Sequence, residues 1–205
     1  MSVMGAATGA DMPDVANVLG EAFEDDPVIL SMVGEGPGRR ERATHLFTAL
    51  LRAELGCGVV VDVARDLGGA VIGAAVWEQP QAPSATLPAL LGQTRTFVRA
   101  FGVTGIPRAL TTRAALARCR PTSPHWYLGQ IGVAASARGV GVGSALLAHR
   151  LRHVDDARSG SYLESSTERN RALYLRHGFE EHGVIAGVRS AEPVAMWREP
   201  AAAGV

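Results

Sequence analysis

Lysine is absent from this sequence, and no sign of charge is in excess. All 20 basic residues of the 205 are arginine, and 20 acidic residues balance them to a net charge of zero. We attribute the missing lysine to a GC-rich coding bias, because arginine and lysine differ mainly at bidentate sites. A protein that coats nucleic acid shows a clustered excess of basic residues, and this chain has none. We therefore expect no nucleic-acid partner.

Cysteine is nearly absent as well, since Cys57 and Cys119 are the only two. Their spacing fits neither a disulfide framework nor a zinc site, so we expect no metal and no catalytic cysteine. The first ten residues lack the basic and apolar segments of a signal peptide, and no apolar run is long enough to span a membrane. These features favour a cytoplasmic protein without a membrane partner.

Hydrophobic periodicity divides the chain into helices and strands. Asp11 is expected to cap the first helix, and the run Glu24-Asp25-Asp26-Pro27 is expected to end it. Further helices are predicted over residues 39–55, 87–101, 107–119, 143–155 and 169–177. Strands are predicted over residues 3–8, 59–63, 70–77, 126–133, 161–165, 179–185 and 194–198. The hydrophobic fraction of 47% supports one mixed α/β domain over residues 1–205.

Three alternating glycines, Gly139, Gly141 and Gly143, lie between a predicted strand and a predicted helix. Glycine lets the backbone approach a ligand closely, and amides at a helix N-terminus attract an anion. The loop therefore predicts a diphosphate site, where Arg138 adds a charge and Ser144 a hydroxyl. ATP and NAD are disfavoured as ligands, because a Walker A loop needs lysine and a Rossmann loop needs a different glycine spacing.

The motif Arg138-x-x-Gly141-x-Gly143 matches the [Q/R]-x-x-G-x-[G/A] signature of the GNAT family, the Gcn5-related N-acetyltransferases. It follows a strand that ends Ile131-Gly132-Val133, as the fourth strand of that family does. Downstream, Asn170 and Tyr174 lie one helical turn apart before Gly178-Phe179, and this run resembles the second cofactor-binding region of the family. On these residues the chain is similar to a GNAT acetyltransferase.

A narrower resemblance is to puromycin N-acetyltransferase and its relatives. It is carried by Trp77-x-x-Pro80, by the long helical segment over residues 81–124, and by Trp126-Tyr127-Leu128. The layout of the last strands, up to Met196-Trp197, is also similar. This resemblance concerns position and pattern and does not identify a substrate.

The GNAT resemblance implies a mixed central sheet of about six to seven strands flanked by helices, with a splay between the fourth and fifth strands. It implies acetyl-CoA as co-substrate, bound through the Gly-rich loop, while backbone groups of Ile131 and Val133 hold the pantetheine and polarise the acetyl carbonyl. The implied cofactor-binding residues are Ile131, Gly132, Val133, Arg138, Gly139, Val140, Gly141, Val142, Gly143, Ser144 and Asn170.

Tyr174 is the candidate general acid, because a phenol with a pKa near 10 keeps its proton at pH 7 and can give it to a thiolate. A core-facing tyrosine is the alternative. No carboxylate occurs in residues 125–131, so the candidate base is Glu164 on the next strand, with a structural carboxylate as its alternative. His125 has a suitable pKa but is expected at the surface beside Pro124.

The acceptor is expected to be a primary amine of a small, antibiotic-like molecule. A protein or peptide terminus is a second candidate, and a non-catalytic acyl-CoA-binding module is a third. We expect residues 81–124 to shape the acceptor pocket. The run Glu24-Asp25-Asp26 is expected to be a solvated helix end, and the alternative is that it lines the acceptor entrance and attracts a cationic amine. The chain is expected to be a monomer or a homodimer, and an exposed final strand would offer a pairing edge.

Overall fold

A seven-stranded mixed sheet runs through the part of the chain that the computed structural model describes, residues 2–54, 56–83 and 85–201. Its strands are β1 (Val3–Ala6), β2 (Val59–Arg65), β3 (Val71–Glu78), β4 (Trp126–Val133), β5 (Ser161–Ser165), β6 (Glu180–Val184) and β7 (Val194–Arg198). Their order is β1-β2-β3-β4-β5-β7-β6. Only β4 and β5 are parallel neighbours within this sheet. The predicted mixed α/β fold is confirmed.

Helices cover both faces of the sheet. They are α1 (Met12–Ala22), α2 (Pro27–Val33), α3 (Arg39–Glu54), α4 (Leu87–Gly92), α5 (Thr94–Phe101), α6 (Ile106–Cys119), α7 (Val142–Asp156) and α8 (Glu168–Leu175). We call the face covered by α1, α2, α3, α5 and α6 the front face, and the face covered by α7 and α8 the rear face. Each face has its own apolar core, so the sheet is buried on both sides.

The parallel pair β4–β5 separates partway along its length. Trp126–Leu128 pairs with Ser161–Leu163, and no residue of either strand beyond this point pairs with the other. Strand β5 instead stays paired with β7 along its whole length, from Ser161 to Ser165. Because β5 follows β7 and β4 follows β3, a gap opens between them. The splay expected from the family resemblance is confirmed.

Helix α2 was missed by the sequence prediction, which took Asp26 and Pro27 as the end of a helix. The first helix already ends at Ala22, and Asp26 begins the next one. The Asp26 carboxylate accepts hydrogen bonds from the amides of Val28 and Ile29, both at 3.0 Å. An aspartate followed by proline at the first helical position is a start signal, so the sequence did contain the information.

The front face is closed by contacts between α2 and α6. The Arg108 guanidinium donates to the Met32 carbonyl oxygen through Nε and Nη2, at 3.1 and 3.0 Å. The hydroxyls of Ser31 and Thr112 lie 3.1 Å apart in the same interface. These contacts hold part of the 81–124 segment over the strands β5 and β7.

Other predictions need smaller corrections. Asp11 precedes α1 but makes no side-chain cap to it, because its carboxylate binds Thr8 and pairs with Arg65 at 2.7 Å. The helix predicted over residues 87–101 is broken at Gln93 into α4 and α5. The final strand β7 is an inner strand, and β6 forms the edge. Leu55, the predicted end of α3, lies outside the described residues.

Candidate active site

A β-bulge in β4 marks the point where β4 and β5 separate. Val76 of β3 pairs with Gln130, but its neighbour Trp77 pairs with Leu128, so Gly129 is one extra residue in β4. Bulges of this kind re-aim the strand that carries them, and they are over-represented near active sites.

The bulge shifts the alternation of the β4 amides by one residue, so that amides which would have faced β3 face β5 instead. Before it, the Trp126 N–H donates to a carbonyl just ahead of β5, at 2.9 Å; after β4, the Ala134 N–H donates to Ile72 of β3, also at 2.9 Å. Since backbone groups alternate along a strand, the amides of Ile131 and Val133 face the gap that β5 has left. Free donors on this edge can bind a carbonyl-rich ligand.

Gly132 lies between these two residues, but its role is different. A Cβ at this position would lie 2.8 Å from the Cβ of Ala22 and 3.0 Å from Cδ2 of Leu19. The missing side chain therefore lets α1 pack directly on β4 and places Gly132 in the framework of the site.

The Gly-rich loop presents uncapped amides at the start of α7. Gly139 and Gly141 have φ of +81° and +89°, and the space around each is open. Gly141 is the N-cap of α7 and has no side chain to bond the first-turn amides of Val142, Gly143 and Ser144. Helix α8, by contrast, is capped by the Thr167 hydroxyl. The start of α7 thus offers free amides of the kind that bind an anion.

Side chains around the loop have more varied roles. The Arg138 guanidinium donates to the carbonyl oxygens of Val133 and Glu21, both at 3.2 Å, which fixes the loop against α1. The Ser144 hydroxyl lies 2.7 Å from Nε2 of His177. Val140 is exposed at the tip of the loop, whereas Val142 is buried beneath α7. Arg138 and Ser144 therefore have protein partners in addition to any phosphate.

Glu164 is the first β5 residue beyond the paired segment, and it is on the front face. The Tyr127 hydroxyl donates to Glu164 Oε2 at 2.7 Å. Burial raises the pKa of the Glu164 carboxyl from its ordinary 4.5 to about 7, and the Tyr127 hydrogen bond and the charge of Arg120 oppose this. A carboxyl with a pKa near neutrality can exchange a proton at physiological pH.

Tyr174 lies on the opposite side of the gap, packed in the rear core with its ring centroid 6.0 Å from that of Phe179. Burial and the negative charge of Asp26 raise the pKa of its phenol well above 10. Asp26 belongs to the front face, so its influence on Tyr174 reaches across the gap. Asn170 is half-buried one turn earlier on α8, and its backbone amide donates to Thr167 Oγ1 at 3.2 Å.

His125 is buried, which contradicts the expectation of a surface histidine. Its ring Nδ1 lies 2.6 Å from the Ser123 carbonyl oxygen, and Arg120 Nε lies 3.4 Å from its Nε2. Arg120 has no lone pair to offer, so Nε2 accepts and Nδ1 carries the proton. Burial and the charge of Arg120 lower the pKa of His125. The ring is therefore a neutral structural group.

The acidic run before α2 is divided in the structure. Asp25 is exposed and pairs with Arg39 at 2.6 Å, as expected of a solvated helix end. Asp26 is buried, caps α2, and accepts a hydrogen bond from the Ser166 hydroxyl, which follows β5. Asp26 thus ties the front helices to the strand that carries Glu164, which corrects the solvated assignment for this residue.

Two residues of this site were not identified from the sequence. Tyr127 holds Glu164, and the Arg120 guanidinium lies 3.9 Å from the centre of the Tyr127 ring while pairing with Glu78 at 2.7 Å. Strand alternation together with the parallel β4–β5 register would have placed Tyr127 beside Glu164. No sequence signal marks Arg120, because its position depends on how α6 ends.

Within residues 2–54, 56–83 and 85–201, no three His, Cys, Asp or Glu side chains are grouped closely enough to hold a metal ion. In the same residues, no helix combines the length and apolarity that a membrane span requires.

A family model described as an acetyltransferase (GNAT) domain matches residues 105–181. The chain shares 32% sequence identity with a Corynebacterium glutamicum protein of known crystal structure, described as histone acetyltransferase HPA2 and related acetyltransferase. All of this chain and 99% of that one are covered, with a TM-score of 0.75.

Two more distant structures share the fold. A phosphinothricin acetyltransferase from Sinorhizobium meliloti in complex with AcCoA is 19% identical, with 97% of this chain and 88% of that chain covered and a TM-score of 0.56. The ribosomal-protein-S18-alanine N-acetyltransferase from Escherichia coli is 14% identical, with 100% and 97% covered and a TM-score of 0.55. The splayed β4–β5 pair, the uncapped start of α7 and these matches lead to one conclusion: the chain belongs to the GNAT family of acetyltransferases, enzymes that transfer an acyl group from acetyl-CoA.

Proposed function

We propose that the protein transfers an acetyl group from acetyl-CoA to a primary amine of a small molecule. The observation that carries this proposal is Glu164, a half-buried residue whose carboxyl pKa is raised to about 7, at the point where β4 and β5 separate. A primary ammonium must lose a proton before it can attack a thioester. Glu164 is placed on the front face to accept that proton, while the Gly-rich loop lies at the end of β4.

In the proposed reaction, the amine nitrogen attacks the thioester carbonyl carbon directly. The backbone amides that face the gap, those of Ile131 and Val133, bind the pantetheine and polarise the carbonyl. Glu164 takes the first proton from the ammonium before the attack and later releases it to solvent. The C–N bond then forms and the C–S bond breaks. Tyr174 gives its phenolic proton to the thiolate as the C–S bond breaks. The phenolate then recovers a proton from the nitrogen, which loses its second proton as it becomes an amide.

The donor site that we propose combines the groups described above. The first-turn amides of α7 and the backbone of Gly139 to Gly141 bind the diphosphate, with Arg138 and Ser144 beside it. Asn170 contacts the pantetheine arm from α8. The proposed set is the one expected from the sequence: Ile131, Gly132, Val133, Arg138, Gly139, Val140, Gly141, Val142, Gly143, Ser144 and Asn170. Gly132 contributes to this site indirectly, because its missing side chain lets α1 pack against β4.

Residues 1–205 are proposed to form a single domain in which the 81–124 segment shapes the acceptor pocket. The contacts of α6 with α2 and the position of Arg120 beside Tyr127 support this role. Membership of the puromycin N-acetyltransferase subgroup remains a proposal, as does a monomeric or homodimeric cytoplasmic protein. A peptide or protein acceptor is the alternative, and acyl-CoA binding without turnover is a third.

The proposal is tested with acetyl-CoA and a panel of amines that includes small monoamines, diamines and peptide N-termini. We expect release of free thiol, measured with a thiol-reactive dye, with at least one small amine and not with the peptides. If the protein binds CoA tightly but releases no free thiol from acetyl-CoA with any amine in the panel, the proposal of an enzymatic function is wrong.

Tyr174→Phe tests the proton donor. We expect kcat to fall by about 100-fold, because general acid catalysis typically contributes 10²–10⁴-fold. The Kd for CoA should be unchanged, since the phenylalanine ring still packs on Phe179. Steady-state kinetics and calorimetric titration with CoA measure the two quantities, and an unchanged kcat would refute the assignment.

Gly141→Ala tests the Gly-rich loop. A Cβ at this helix start lies between the α7 amides and an approaching diphosphate, so we expect the Kd for CoA to rise about tenfold or more. Gly36→Ala is the matched control, because Gly36 has φ of +92° and open space but lies far from α7 in sequence. Both variants should lose similar stability. Equal CoA affinity in the two would contradict the diphosphate site.

A further inference from the structure

A cleft of about 530 Å³ opens on the front face beside the end of α6. Its lining includes Cys119, Pro121, Tyr162, Ile185, Ala195 and Trp197. Its volume is within the range of pockets that bind small molecules. The cleft is separate from the Gly-rich loop and α8, so it does not belong to the donor site.

Aromatic rings form one wall of this cleft. The His125 ring meets the Tyr162 and Trp197 rings edge-on, with centroids 5.7 Å apart in both cases. Tyr127 stacks on Tyr162 with centroids 6.0 Å apart. Rings held in this way present faces and edges that prefer another flat ring over a flexible polar chain.

Charge is scarce in the cleft. Apart from the Cys119 thiol and the Tyr162 phenol, the ionisable residues that line the cleft are Glu199 and His182, and both are exposed. The Glu199 carboxylate already accepts a hydrogen bond from Trp197 Nε1 at 2.8 Å. The floor therefore offers no second carboxylate for a diamine, and a ligand with one amine fits better.

The cleft lies next to Glu164, because Ala195, which lines it, is the β7 residue that pairs with Glu164. Tyr162 precedes Glu164 by two residues on β5, so both side chains lie on the same face of the strand. The Tyr162 hydroxyl is close enough to lower the pKa of Glu164, yet it is buried without a well-formed hydrogen bond to any described residue. A buried hydroxyl without a partner is costly, and a polar group at the head of a ligand would satisfy it.

We infer that this cleft receives the acceptor, and that the acceptor is a monoamine with an aromatic, largely uncharged body. The inference rests on the proposed acetyl transfer to a small amine and names the substrate class. The ring packs against the partly exposed Trp197, and the amine is directed towards the Tyr162 hydroxyl and Glu164. The free electron pair of the amine forms the new C–N bond as in the proposed reaction.

Cys119 makes the cleft accessible to a direct test, because it is exposed and lines the wall. N-ethylmaleimide alkylation of the wild-type protein is followed by peptide mass spectrometry, with desulfo-CoA, which has no thiol to consume the reagent, in the donor site. At ten times its Kd, 2-phenylethylamine should slow alkylation of Cys119 about tenfold by occupying the cleft. Alkylation of Cys57, which does not line the cleft, is the internal control and should be unchanged. We expect 1,4-diaminobutane to give no protection.

A pair of variants tests the same cleft through kinetics. Ser123→Trp fills its mouth with an exposed side chain and should raise the KM for 2-phenylethylamine at least about fivefold, with the KM for acetyl-CoA unchanged. Thr122→Trp is the matched control, because Thr122 is also exposed but does not line the cleft. We expect it to behave like the wild type.

The outcomes separate the inference from the proposed function. Acetylation of 2-phenylethylamine with no protection of Cys119 and no effect of Ser123→Trp would overturn the cleft as acceptor site, while the proposed function holds. Preference for 1,4-diaminobutane would overturn the substrate class. If no amine causes release of free thiol from acetyl-CoA, the proposed function and the acceptor role of the cleft are both overturned.

Discussion

Glu164→Gln is expected to lower kcat by about 100-fold or more, because a positioned general base contributes 10²–10⁴-fold. Glutamine keeps the shape of the side chain and can still accept the hydrogen bond from Tyr127. What it loses is the ability to take a proton from the ammonium. The measurement is kcat with both substrates saturating, at pH 8.

The pH dependence distinguishes a base from a structural carboxyl. Burial raises the pKa of Glu164 to about 7, and the base must be deprotonated to act. The wild-type kcat should therefore rise with pH through about 7 and level off above it. The kcat of the glutamine variant should not show this rise between about pH 6 and pH 8. Glu180→Gln, on the exposed edge strand β6, is the control and should keep both the rate and the rise.

The pH dependence of thermal stability tests the raised pKa of Glu164 independently of activity. A carboxyl whose pKa is raised by folding stabilises the native state below its unfolded pKa of about 4.5, and this contribution is lost as pH rises through about 7. Glu164→Gln should thus melt above the wild type at pH 8 and close to it at pH 4.5. A variant that loses both activity and stability at pH 8 would indicate a structural carboxylate instead.

Asp62→Ala is expected to destabilise the protein by about 3–5 kcal/mol, because it leaves a buried arginine without its counter-ion. Asp62 on β2 is fully buried, and Arg150 on α7 donates to its carboxylate through Nε at 2.8 Å and also through Nη2. This pair connects the first half of the sheet to the helix that begins at the Gly-rich loop. The melting temperature should fall by roughly 6–20 °C.

Asp25→Ala provides the contrast for Asp62→Ala. Asp25 also pairs with an arginine, Arg39, but both side chains are exposed to solvent. An exposed pair contributes under about 1 kcal/mol, so the melting temperature should change by a few degrees at most. Equal losses in the two variants would mean that burial does not decide the value of these ion pairs. Thermal unfolding followed by circular dichroism measures both.

The donor half of the site could be predicted from the sequence because it is built from local features. Strand β4 begins at Trp126 and ends at Val133 in both the prediction and the structure. The glycines between β4 and α7 require positive φ and open space, and both are set by a few neighbouring residues. The succession of strands and helices along the chain followed from hydrophobic periodicity, whereas the expected sheet followed from the family resemblance.

The acceptor half could not be predicted to the same depth, because it depends on contacts between distant segments. His125 is buried since Tyr162 and Trp197, from two other strands, pack around it. Arg120 reaches Tyr127 only because α6 is held on α2. The Asp26-Pro27 start signal was present in the sequence, but a neighbouring acidic run made it resemble a helix end.

The single extra residue at Gly129 has a consequence for how this enzyme can vary. It shifts the alternation of β4 by one residue, so that even-numbered amides point towards β5 before it and towards β3 after it. Gain or loss of one residue between Trp126 and Ala134 would turn the amides of Ile131 and Val133 back towards β3 without changing the composition of the strand. The length of β4 is therefore fixed to the residue by the need for amides that face the gap.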